Sequence, residues 1–135
     1  MSKATFRIWR GEGTEGKFVD YTAEVSEGMV VLDAVHQIQA TQSGDLACRW
    51  NCKAGKCGSC SAEVNGMPKL MCMTRLSDLN LEMPVTVEPM QAFPRIRDLV
   101  TDVSWNFRVK KGIKKFQPRK PDNADGSWTM YQKDI

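Results

Sequence analysis

Cys52-Lys53-Ala54-Gly55-Lys56-Cys57-Gly58-Ser59-Cys60, followed after eleven further residues by Cys72, is the stretch on which the reading of this chain turns. Three thiols carried by one short loop must point inward together to grip a common inorganic core. Gly55 and Gly58 offer backbone conformations and close approaches that a Cβ would block. A loop of this kind can aim its amide N–H groups at the sulfurs, and such hydrogen bonds stabilise the more negative, reduced form of a metal cluster. The spacing C-x4-C-x2-C with a distant fourth Cys is that of plant-type 2Fe-2S centres. Structural zinc prefers paired C-x2-C hooks, and only Cys57 and Cys60 form one, which makes zinc the poorer reading. An apolar core strand has no use for glycines between its cysteines, which disfavours inert buried thiols. Cys48 stands outside the spacing and reads as a spare thiol.

Working outward, Ser43 to Ser61 shows no apolar period and reads as a functional loop. Ahead of it, Thr5–Arg10 alternates around Phe6 and Ile8, with Trp9 as a further large residue. Lys17–Val25 alternates again, with Phe18, Tyr21 or Val19, Ala23 and Val25 as candidates for the buried face. The glycines between the two runs predict an antiparallel hairpin. Val31, Leu32, Val35 and Ile38 then share one helical face, predicting a helix from about Val31 to Gln42. Beyond the loop, Ala62–Val64 and Leu70–Cys72 flank Asn65-Gly66, a hairpin signal, although Pro68 argues against a simple two-residue turn. Val85–Met90 alternates as the last strand of the sheet. Ile96, Leu99, Val100, Val103 and Phe107 predict an amphipathic helix over 95–109, and a Lys- and Pro-rich arm follows. The order implies an α+β fold, a small mixed sheet packed on one helix.

At 135 residues the chain is one domain with an appended arm. The net charge of +3 conceals an asymmetry: residues 1–106 carry 11 Lys+Arg against 13 Asp+Glu, and 107–135 carry 8 against 3. An acidic body argues against nucleic-acid binding, and the aromatic platforms of a single-strand binder are missing from the basic arm. Five Lys and two Arg fall within Arg108–Lys120; the plain reading is a solvated linker, with anionic lipid or a further domain as alternative partners. An odd count of five cysteines points to metal rather than disulfides, and the start lacks the features of a secretory signal, so the expected location is cytoplasmic.

Arg49–Gly66 with Leu70–Thr74 resembles the 2Fe-2S segment of the iron-sulfur subunit of succinate dehydrogenase and fumarate reductase. Phe93–Ser104 is similar to that family's segment leading out of its N-terminal domain, and Arg7–Arg10 fits its first strand. The resemblance implies a β-grasp, plant-type ferredoxin-like fold over residues 1–92, with a connecting helix and basic arm over 93–135. It implies a 2Fe-2S cluster held by Cys52, Cys57, Cys60 and Cys72, and a FAD-containing flavoprotein subunit as electron partner. It also implies peripheral attachment at the cytoplasmic side of the inner membrane, through membrane anchor subunits. The family continues into a C-terminal domain carrying 4Fe-4S and 3Fe-4S clusters. No cysteine follows Cys72, so those clusters would belong to a C-terminal cluster domain beyond a fragment, or to a separate polypeptide.

A fully ligated cluster has no open coordination position, so the expected role is a one-electron relay with no substrate site on this chain. A free ferredoxin or reductase module is the alternative of the same class, and a structural zinc interaction domain that of another. Lys53 and Lys56 are candidates for favouring the reduced state, with solvated surface charge as the plain reading. Arg49 is a candidate contact for an acidic partner group, with a simple exposed arginine as the plain reading, and Trp50 either shields the cluster, faces the flavoprotein or simply packs. Met67, Met71, Met73, Met83 and Met90 read by default as core filling, with partner contact as the second reading. His36 is expected to lie away from the cysteine loop, with no chemistry.

Overall fold

The computed structural model describes residues 2–134. Alternation in the first 25 residues builds a long hairpin, β1 (Ser2–Glu12) and β2 (Glu15–Val25), paired antiparallel from Ser2↔Val25 to Glu12↔Glu15. Ala4, Phe6 and Ile8 of β1 and Ala23 and Val25 of β2 turn inward and are buried. Trp9 and Phe18 turn the other way, meeting edge to face at 5.5 Å under the Arg95 guanidinium. Phe18 is therefore not a core residue.

The helix α1 (Val31–Thr41) follows because Val31, Leu32, Ala34, Val35 and Ile38 lie on one face and bury it against the sheet. Asp33 in the first turn accepts the Val30 amide at 3.0 Å, closing the N-terminus. The strands β3 (Ser61–Val64) and β4 (Met67–Leu70) are joined by Asn65 and Gly66 alone, at φ 51° and 81°. This is the two-residue turn that Pro68 was expected to prevent. Pro68 is tolerated because β4 is the sheet edge, where a missing N–H breaks no further ladder. Residues 71–73 form a 3-10 turn rather than a strand.

β5 (Val85–Glu88) pairs parallel with β1 and antiparallel with β3, so the sheet runs β4-β3-β5-β1-β2. It is not the last strand. β6 (Arg95–Arg97) meets the end of β1 through Glu12↔Arg97, and β7 (Val100–Thr101) pairs back on β6. The expected helix over 95–109 is thus replaced by a small hairpin, and helix α2 begins only at Ser104 (Ser104–Gly112). The cause is Asp98, which sits in the left-handed region at φ 48° and reverses the chain. Leu99 is buried while Ile96 and Phe107 are exposed, so the apparent helical face never existed.

The chain folds as two units, Met1–Ser104 and Trp105–Ile135. Residues 93–104 therefore belong with the sheet, not with the arm. In the second unit α2 buries none of its side chains. Asp122 orders the residues after it, accepting Arg119 Nη2 at 3.1 Å and the Thr129 amide at 2.8 Å.

Candidate metal centre

Residues 44–51, between α1 and the cysteine loop, form neither helix nor strand, and their course is set by tertiary bonds. Gln39 on α1 donates to the Leu46 carbonyl at 2.8 Å, and Leu46 is buried. Leu99 N–H donates to the Ala47 carbonyl at 3.2 Å. Arg49, read from sequence as a possible partner contact, donates to the Thr101 carbonyl at 2.8 Å. The chain thus arrives at Cys52 along a fixed path.

Within the loop, Lys53, Gly55 and Gly58 all adopt left-handed backbone, at φ 55°, 70° and 74°. These alternating conformations fold successive amides toward the inside. Ala54, Lys56 and Cys57 N–H groups converge on Cys52 Sγ at 3.4, 3.2 and 3.3 Å. Ser59 N–H donates to Cys57 Sγ at 3.4 Å, and the Ser59 hydroxyl lies 3.2 Å from the same sulfur. That hydroxyl is the largest cause drawing the Cys57 thiol down to about 6. The loop is built to carry negative charge on sulfur. Gly55 also has a steric duty, since a Cβ there would lie 3.0 Å from Met73 Cγ.

Cys72 arrives from the other side. Val31 N–H to the Thr74 carbonyl at 2.9 Å and Leu76 N–H to the Met29 carbonyl at 3.0 Å tie the chain after Cys72 to the start of α1. Cys72 N–H donates to Cys60 Sγ at 3.4 Å. Cys60 is 4% exposed and Cys72 7%, whereas Cys52 is half-buried and Cys57 exposed. Two hydrogen-bonded pairs result, an outer pair of Cys52 with Cys57 and an inner pair of Cys60 with Cys72. Burial pushes the Cys60 thiol up, opposite to Cys57. Among the described residues no three His, Cys, Asp or Glu side chains converge to hold one metal ion. Two pairs are what a two-iron cluster with two thiolates on each iron asks for. Free thiols, loop amides aimed at sulfur and glycines at the left-handed positions of the loop fit that group.

The other singled-out residues divide. Cys48 packs against the core, and burial, with the Cys60 charge second, pushes its thiol up to about 12. Trp50 is 49% exposed, with the Lys53 ammonium 4.6 Å over its ring. His36, expected to be remote, meets Trp50 edge to face at 4.9 Å. The loop folds back over α1, a contact no local pattern encodes. Of the five methionines singled out in the sequence only Met71 is fully buried, and Met67, Met73 and Met83 are exposed, so core filling is not their common role. Two residues went unread in the sequence: Ser59, whose place between two cysteines was a usable signal, and Asp98, which was submerged in the supposed helix.

Known proteins resemble this chain over most of its length. Residues 5–108 match the family model for a 2Fe-2S iron-sulfur cluster binding domain. The fumarate reductase iron-sulfur subunit of Mycobacterium tuberculosis (strain CDC 1551 / Oshkosh) is 46% identical over 113 residues, covering 82% of this chain and 45% of that protein. The succinate dehydrogenase [ubiquinone] iron-sulfur subunit 1, mitochondrial, of Oryza sativa subsp. japonica is 31% identical, covering 86% of this chain and 42% of its own. A chain of the Mycobacterium smegmatis Sdh1 complex in the apo form superposes with a TM-score of 0.86 at 56% identity, over 97% of this chain and 54% of that one. The chain spans about half the length of the relatives it matches. Matched by the family model over residues 5–108, this chain belongs to the family of 2Fe-2S iron-sulfur cluster binding domains.

Proposed function

We propose that Cys52, Cys57, Cys60 and Cys72 hold the 2Fe-2S cluster, and that the chain is the N-terminal part of a succinate dehydrogenase or fumarate reductase iron-sulfur subunit. In that role it relays single electrons between the FAD of a flavoprotein subunit and further iron-sulfur clusters of the same assembly. The observation that carries the reading is the pairing of the four thiols, each pair bridged by an amide N–H to sulfur contact. The cluster, when bound, supplies reversible one-electron transfer. The inner pair anchors it in the fold, and the outer pair presents it toward solvent and a partner. The amides on Cys52 Sγ and the Ser59 hydroxyl offset negative charge there. Lys56, exposed in the loop, and Lys53, held against Trp50, add positive charge at the same face. The relay offers no site for succinate or fumarate, which belongs to the flavoprotein.

Among the described residues no helix is long and apolar enough to cross a membrane. The proposed attachment, at the cytoplasmic side of the inner membrane, runs through partner subunits.

Anaerobic purification tests the reading. The expected material is coloured, contains iron and acid-labile sulfide in equal amounts, gives an EPR signal on reduction and co-purifies with a FAD protein when expressed in its native assembly. Colourless protein with stoichiometric zinc would overturn the cluster assignment, and a loaded protein that never associates with a flavoprotein would overturn the subunit role.

A further inference from the structure

Asp98 lies far from the cysteines in sequence, is 2% exposed, and holds a left-handed backbone at φ 48° that favours glycine. Its carboxylate explains why the strain is tolerated. Oδ1 accepts the Gly11 amide and Arg10 Nε, each at 3.0 Å, at the end of β1. Oδ2 turns the other way and accepts the Ala47 amide at 2.8 Å. The Asp98 amide itself donates to the Gly11 carbonyl at 2.8 Å, so the turn is tied to β1 twice. Arg10 is in turn held by Tyr21 Oη and Ser43 Oγ, each at 2.6 Å, and by Asp45 at 3.1 Å.

Ala47 is thus held by the β6–β7 hairpin at both its N–H, through Asp98, and its carbonyl, through Leu99 N–H. Arg49 to Thr101 adds a third tie to the same hairpin. All three fall within the five residues before Cys52, in a segment with no secondary structure of its own. We infer that Asp98 is a positioning residue for the cluster, one carboxylate oxygen fastening β1 and the other fastening the chain that delivers Cys52. The hairpin that sequence pattern assigned to an outgoing helix is a clamp on the metal loop. This inference rests on the proposed ligand set.

The test is Asp98→Asn in the whole 135-residue chain, loaded anaerobically. The amide keeps the shape but must turn its NH2 toward one of the two donor sets, so one fastening is lost. The control is Val85→Ala in β5, a core truncation that leaves segment 44–51 untouched. Leaving a buried donor unpaired makes local opening roughly ten-fold more frequent or greater. The expected result is iron release to a chelator about ten-fold faster than in the control at matched distance below each variant's melting temperature. Amide exchange at Lys56 and Cys57 in the cluster-free protein should quicken likewise, a change that a general loss of stability would not confine to the loop. Release and exchange no faster than in Val85→Ala would overturn the inference. Should Asp98→Asn fail to fold, Arg49→Gln removes the outermost tie of the same clamp and is judged by the same comparison. Wild-type protein without iron would instead overturn the ligand assignment, which keeps the two failures apart.

Discussion

Gly55→Ala is the substitution whose cost the structure specifies in separable parts. Gly55 adopts φ +70°, and an added Cβ would lie 3.0 Å from Met73 Cγ and 3.3 Å from Met73 Sδ. Left-handed backbone costs an alanine about 1–2 kcal/mol. The contact with Met73 adds little, because that side chain is exposed and its thioether arm can swing aside. A net loss of about 1 kcal/mol corresponds to a fall in melting temperature of about 4–8 °C for a domain near this size. Gly58 is the internal standard: it has φ +74° with nothing within 4 Å of a Cβ, so Gly58→Ala carries the backbone cost alone. Thermal denaturation of the loaded protein, followed by visible absorbance and circular dichroism, should show both alanine variants melting lower, Gly55→Ala slightly more so. In a Met73→Ala background the two should coincide. Alanine variants that melt at or above the wild-type temperature with full iron content would refute the left-handed loop and the amide cradle built on it.

Cys57→Ala should abolish iron incorporation, whereas Cys48→Ala should leave iron content unchanged; iron measured per chain decides both, and a lost cluster in the second variant would show that the wrong four thiols were chosen. In cluster-free protein, Cys57 should be the first thiol alkylated, with its rate falling as pH drops through about 6, because protonation removes the thiolate that Ser59 stabilises. Cys48, pushed up to about 12, should resist alkylation through neutral pH, as mass spectrometry of the labelled peptides would reveal. Ile38→Ala empties a fully buried position on α1 and should cost about 2–5 kcal/mol in chemical denaturation; a smaller loss would mean the helix does not seal the sheet as described.

The conformations of the cysteine loop and α1 were legible in the sequence because their information is local. Cysteine spacing, the glycines that need positive φ, and the helical interval of Val31, Val35 and Ile38 all lie within a few residues of where they act. The same holds for β1 and β2, whose alternation places Phe6 and Ile8 inward. Tertiary structure decided the rest. Leu99 and Val100 give the same intervals whether they belong to a helix or to a hairpin, and only the donors waiting at Gly11, Arg10 and Ala47 draw Asp98 into its turn. His36 reaches Trp50 because the loop folds back over the helix. A residue's interval to its neighbours is written in the chain, but which distant amide it will meet is fixed only when the sheet brings them together.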